Sequence, residues 1–302
     1  MSSPMPAAAT SPRAGGLAVL TALLLVYVVW GSTYLGIRIA LEHGVPPLLV
    51  TSGLRFVVAG GVMFAVLRLR GVAAPTRAQW KNVAIMGALL LGLGNALVVL
   101  AETTVSSGLA AVAVASVPVW MGLFGLLRGH RATRIEWLGL ALGFAGVVWL
   151  NAGGTLTASP QGLVCLLLAP MAWAFGSVWS RGRDLPSPFM AAAAQMLCGG
   201  VLITLAGWLR GERLHALPSP EGVAAVVYLA LFGSIVAFTA YVWLLQHVRP
   251  ALAGSYAYVN PVIAVALGAW LAHERFTAHD LGAMAVILAG VVVITLAKVR
   301  RR

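Results

Sequence analysis

The sequence predicts an all-α integral membrane protein with ten transmembrane helices, set as two inverted five-helix repeats around a central cavity. Three observations lead there. Of the 302 residues, 60% are hydrophobic and only 9% are charged, where a soluble domain carries about a quarter charged residues. The apolar residues gather in runs close to the ~20 residues that a spanning helix needs. The second half of the chain also echoes the first. In water this much apolar surface would drive aggregation, so lipid is the expected solvent and the bilayer the expected partner.

In chain order, residues 1–14 are rich in Ser, Pro and Ala and are expected to form a disordered cytoplasmic tail. The apolar run that follows exceeds a signal-peptide core of ~7–15 residues, so it is expected to persist as the first helix. The candidate spans are Leu17–Ile37, Leu48–Leu67, Val83–Ala101, Val105–Leu127, Trp137–Leu150, Gly162–Trp179, Phe189–Leu209, Val223–Leu245, Ala251–Ala272 and Leu281–Ala297. The expected units are a first repeat over 15–151, a second over 152–298 and a basic cytoplasmic tail over 299–302. Connectors such as LRLRGVAAPTRAQWK and RGHRATRIEW are short and hold most of the charge.

The formal charge of +12 does not indicate a nucleic-acid partner, because the cations sit in short loops rather than on one polar face. With the N-terminus cytoplasmic, 15 Lys and Arg fall inside and four outside, Arg55 apart. A bias of that size predicts cytoplasmic termini and an even number of spans. Cys165 and Cys198 lie inside apolar runs and read as small packing residues. No metal or cofactor is expected. The group His273, Glu274, His279 and Asp280 reads as a solvated loop, and scattered histidines argue against a membrane-embedded enzyme, the main alternative from another class.

The repeat is carried by SSGLAAVAVASVPVWMGLFGLLRGHRATRIEWLG and RPALAGSYAYVNPVIAVALGAWLAHERFTAHDLG. The step from Pro118 to Gly139 equals that from Pro261 to Gly282. A weaker echo, YVVWGSTYLGIR against MAWAFGSVWSR, sets Trp30 opposite Trp173. Five helices per repeat is an odd number, so the second half would enter the membrane inverted. Such folds place a substrate site near the midplane between the halves.

A carrier needs polar and aromatic side chains at membrane depth. Candidate substrate-binding residues are Trp30, Ser32 and Thr33 in the first span, Asn95 in the third and Ser116 with Pro118 in the fourth. Trp173 and Ser177 share one face of the sixth span, Tyr241 lies in the eighth, and Tyr256, Tyr258, Asn260 and Pro261 lie in the ninth. A proline inside a span frees a carbonyl that must be buried or face a wet cavity. Arg55 sits at membrane depth, where a charge is functional or paired, and Glu102, at the rim, is its expected ion-pair partner. The other readings of Arg55 are snorkelling and a substrate carboxylate. No carboxylate stands at mid-membrane, which points to facilitated diffusion or to coupling through a rim group such as Glu102.

The segments WGSTYLGIRIALEHGVPPLLVTSGLRFVVAGG, GLGNALVVLAETTVSSGLAAVAVASVP, WAFGSVWSR, YLALFGSIVAFTAYVWLL and ALAGSYAYVNPVIAVALG resemble the EamA family of the drug/metabolite transporter superfamily. The likeness covers residues 17–297. It implies ten helices in inverted repeats, alternating access and a bacterial inner-membrane location. It also implies export of small molecules such as amino acids, aromatic ones among them, or of toxic compounds. Apart from the resemblance, a monomer or weak dimer is expected. One departure is His130, in GHR, where the family commonly has Glu; Glu274, in HER, keeps the counterpart.

Overall fold

The structure is a computed structural model that describes residues 15–104, 110, 113–129, 133–152, 159–214, 217–272 and 278–296. The tails, His130, His273 and Glu274 lie outside these. Among the described residues the regular structure is helical, and helix occurs in each of the ten segments the sequence marks out. We label α1 (Gly16–Glu42), α2 (Pro47–Leu69), α3 (Arg77–Glu102), α6 (Pro160–Trp179), α7 (Pro188–Leu209) and α8 (Pro220–His247); these six are long and apolar enough to cross a membrane. The shorter helices are α4 (Val117–Leu127), α5 (Arg134–Asn151), α9 (Pro250–Gly254), α10 (Tyr256–Ala272) and α11 (Ala278–Leu296).

Helix ends follow local chemistry. Thr76 and Gln79 form a reciprocal capping box at the start of α3, and Thr133 and Glu136 do the same for α5, each satisfying two orphan amides. The stretch Arg77–Lys81, expected as connector, is therefore helical. Glu212 caps α2 from across the bundle, accepting from the Leu48 and Leu49 amides at 2.9 and 2.8 Å. Its charge meets the positive end of the helix dipole. Gly71 and Gly211, at φ of 80° and 86°, turn the chain after α2 and α7 in the left-handed region that a Cβ disfavours.

Three long helices depart from α geometry. Pro47–Leu54 of α2, Gly87–Asn95 of α3 and Leu229–Phe238 of α8 are wound as π-helix. The ninth segment, expected as one span, is broken at Ser255 between α9 and α10. The fourth breaks at Ser116, so Pro118 stands in the first turn of α4 and not in mid-helix. There its missing N–H leaves no intrahelical bond unmade. Pro261 does lie inside α10, and Pro170 lies inside α6.

α7 packs against α2 and α3, α6 against α3 and α4, and α1 against α8 and α10. The outer faces are apolar: Leu20, Leu24, Val58, Val62, Leu202 and Val292 are all exposed. α7 is buried on every side at Ala191–Ala194. Small residues let helices approach closely in lipid, where helix contact gains little from the hydrophobic effect. The α5–α11 pair shows this best. A Cβ on Gly290 would lie 2.5 Å from the Gly143 amide nitrogen and 2.8 Å from the Gly139 carbonyl oxygen, so Gly139-xxx-Gly143 receives Gly290 backbone to backbone.

One end of the bundle is tied by arginines. Arg128 donates to the carbonyls of Val178, Trp179 and Arg181 at 3.1 Å each, closing the C-terminal end of α6. Arg181 donates to the Val248 carbonyl, and Arg249 pairs with the buried Glu136. Burial, and secondarily the nearby Arg249 cation, lower the Arg181 pKa. Glu136 is the anion in this crowd, which joins α4, α5 and α6 to the α8–α9 turn.

Gly290→Leu should force α5 and α11 apart and cost about 1–3 kcal/mol as an overpacked contact. Thermal unfolding in detergent would report it. Gly61→Leu, whose Cβ would meet only Leu197 Cδ2 at 3.8 Å, should melt close to the parent. Equal melting of the two would refute the close-packing account.

Candidate substrate cavity

The central cavity lies among α1, α2, α3, α6, α8 and α10 and holds about 730 Å³, open solvent at its mouth included. Of the sequence candidates, Trp30, Thr33, Arg55, Asn95, Trp173, Tyr256 and Asn260 line it. Asn95 stands at the end of the π stretch of α3, and the cavity also touches Gly233 and Phe238 in the π stretch of α8.

The floor is a box of aromatic rings. Trp30 meets Trp173 edge-on at 5.5 Å between centroids, Tyr256 at 4.8 Å and Tyr241 at 5.1 Å. The two tryptophans that the sequence echo sets opposite one another therefore touch. Edge-to-face pairs of this kind add to plain area burial. Polar tips fix the rings: Trp30 Nε1 donates to the Gly233 carbonyl at 3.0 Å, and Trp173 Nε1 donates to the Tyr241 hydroxyl at 2.9 Å. Ser177 lies 2.7 Å from that hydroxyl and donates to the Trp173 carbonyl. Gly94 makes the seat for Trp173, since a Cβ there would lie 2.6 Å from the ring.

Several candidates do other work. Ser177 and Tyr241 are fully buried outside the lining, Tyr241 as a ring of the box, and both orient Trp173. Ser32 bonds the Tyr228 hydroxyl and the Val29 carbonyl, Ser116 bonds the Ala113 carbonyl, and Pro118 packs near Gly254. Tyr258 donates to the Leu140 carbonyl and packs on Gly143, so it belongs to the α5 side. Pro261 is buried in α10 outside the lining. The lining residues that went unselected are mainly Tyr34, Phe56, Pro170 and Phe238. Tyr34 was legible as one turn from Trp30; the phenylalanines carry no sequence signal against lipid-facing ones.

Arg55 is the charge at the cavity. It is 4% exposed, follows the π stretch of α2, and lies over the Phe56 ring at 4.3 Å. Its Nη2 donates to Asn95 Oδ1 at 3.3 Å, while its Nε has no partner. The expected ion pair with Glu102 is not formed: the ion pairs among the described residues are Arg38–Glu42 and Arg249–Glu136. Glu102 ends α3 two turns beyond Asn95, and its Oε1 is buried without a partner. Asn260 Oδ1 is likewise buried and unpartnered. The cavity wall thus holds an arginine lacking an anion and one acceptor atom lacking a donor, Asn260 Oδ1, while Glu102 lies outside the lining.

Comparison with known proteins fits this geometry. The EamA-like transporter family model matches residues 17–152 and again 160–296. The inner membrane transporter YedA of Escherichia coli K12 is 46% identical over 283 residues, 93% of this chain and 92% of its own. PagO of Salmonella typhimurium is 26% identical over 265 residues, 85% and 86% of the two chains. A protein of known crystal structure, 25% identical, superposes with a TM-score of 0.78 over 97% of this chain and 100% of its own. Matched twice by one family model and nearly half identical to an inner membrane transporter, the chain belongs to the EamA-like transporter family and is a transporter, not an enzyme.

Proposed function

We propose that the protein is a secondary exporter of small metabolites, foremost amino acids with apolar or aromatic side chains, working by alternating access. In this reading ten spans form two inverted five-helix units, 15–151 and 152–298, in the bacterial inner membrane with both termini cytoplasmic. The observation that carries the substrate class is Arg55: a buried guanidinium at the cavity wall, with no carboxylate, beside a box of aromatic rings. A charge at this depth costs about 2.5–3.5 kcal/mol even by lenient scales. A substrate carboxylate would offset that cost, and the rings would take an apolar or aromatic side chain by stacking. Efflux of toxic apolar compounds is the competing reading. It uses the box equally well but leaves Arg55 without an anion, so the amino-acid reading accounts for more of the site.

Metabolite efflux from overexpressing cells tests this directly. Apolar and aromatic amino acids should accumulate outside faster than in vector controls. Arg55→Ala should reduce that export about tenfold or more, the scale of a lost charge-assisted hydrogen bond, and Arg55→Lys should retain part of it. An Arg55→Ala protein that reaches the membrane and exports like the parent would sink the anchor reading. For the box, Tyr241→Phe removes the acceptor of the Trp173 N–H and should cost about 1–3 kcal/mol of stability, read as a lower melting temperature. No change in melting would show that the Trp173 bond contributes nothing.

A further inference from the structure

The acceptors opposite Arg55 take no part in the reading above, and their placement is specific. Asn260 lines the cavity from α10, is 2% exposed, and has its Oδ1 unpartnered. The Tyr34 hydroxyl hydrogen-bonds the Asn260 side chain and lies within electrostatic range of Glu102. On α3, Asn95 and Glu102 are seven residues apart, which puts them on one face about 10 Å apart along the axis. Val98, between them, lines the cavity. The cavity wall therefore carries a hydrogen-bond donor at Arg55 and an unpartnered acceptor at Asn260 Oδ1, with the buried Glu102 carboxyl beyond the lining.

We propose that this polarity is a two-point site for an α-amino acid zwitterion: Arg55 takes the α-carboxylate, and Asn260 Oδ1, with the Glu102 carboxyl behind it, takes the α-ammonium. This rests on the amino-acid reading and assigns its subsites. A buried acceptor with no donor is costly and so discriminates: a ligand lacking the ammonium leaves Asn260 Oδ1 unpaired, and a ligand lacking the carboxylate leaves Arg55 unpaired. The side chain of the substrate then projects onto the aromatic floor.

The test uses the full-length protein in proteoliposomes at one pH on both sides, with counterflow of radiolabelled L-phenylalanine. The competitors are unlabelled L-phenylalanine, 3-phenylpropionate (no amine) and phenethylamine (no carboxylate). In the parent, both analogues should compete roughly tenfold or more weakly than phenylalanine. In Asn260→Leu/Glu102→Gln, phenylpropionate should draw level with phenylalanine while phenethylamine stays weak. In Arg55→Gln the pattern should reverse. Where a variant no longer transports, quenching of tryptophan fluorescence by the same three compounds gives the same ranking on purified protein. Asn260→Asp, which keeps an acceptor, should preserve the preference for the amine, and behaviour like Asn260→Leu would overturn the proposal. So would analogues that compete as well as phenylalanine in the parent, with the amino-acid reading left standing. No counterflow of L-phenylalanine, L-leucine or L-methionine by the parent would remove that reading and this inference together.

Discussion

At membrane depth a backbone amide or carbonyl has no water to turn to, so its partner must come from the protein. Straight α-helix meets that demand automatically, and most of the described residues comply. The exceptions gather at the cavity. The π stretches of α2, α3 and α8 end at or touch its wall, and Trp30 Nε1 takes a carbonyl of the α8 stretch. The break between α9 and α10 is covered by Tyr27, whose hydroxyl lies 2.6 Å from Ser255 Oγ. Irregular backbone is placed where side chains can complete it, and a cavity results.

The same demand governs charge. At the arginine-tied end, Arg128 and Arg181 donate to carbonyls and Arg249 pairs with Glu136, and the helices there are joined. At the cavity and just beyond it the groups are held apart: Arg55 has Asn95, and Asn260 Oδ1 in the wall and Glu102 Oε1 behind it accept no hydrogen bond. Pairing Arg55 with Glu102 would have been the structural solution, and it is the one the bundle does not adopt. A permanently satisfied site would have no free energy left with which to bind a ligand.

The positions of the helices were readable because a bilayer imposes a length and an apolar content on each span. Their ends were less so. Thr76 and Thr133 carry capping-box spacings that extend α3 and α5 into segments read as connector. Within the site, Trp30, Asn95 and Trp173 were legible as polar or aromatic groups at depth with a recurring context. Ser32, Ser116 and Tyr258 were equally polar and yet are taken up by other bonds, Ser32 with Tyr228, Ser116 with the Ala113 carbonyl and Tyr258 with the Leu140 carbonyl, which composition and spacing along one helix do not reveal. The Arg55–Asn95 contact, in place of Arg55–Glu102, joins two residues that adjoin π stretches.

That winding has a dynamic corollary. A π turn closes i→i+5 rings and holds one residue more than the α turn it replaces. Each residue of an α-helix advances the phase by about 100° and the axis by about 1.5 Å. Were the stretch in α2, α3 or α8 to rewind by a single residue, the side chains on one flank would swing by that angle against those on the other. Arg55, Asn95 and Phe238 sit at the junctions where such a swing would be felt. The lining of the cavity is therefore set by helical phase, and three short stretches of backbone hold the dial.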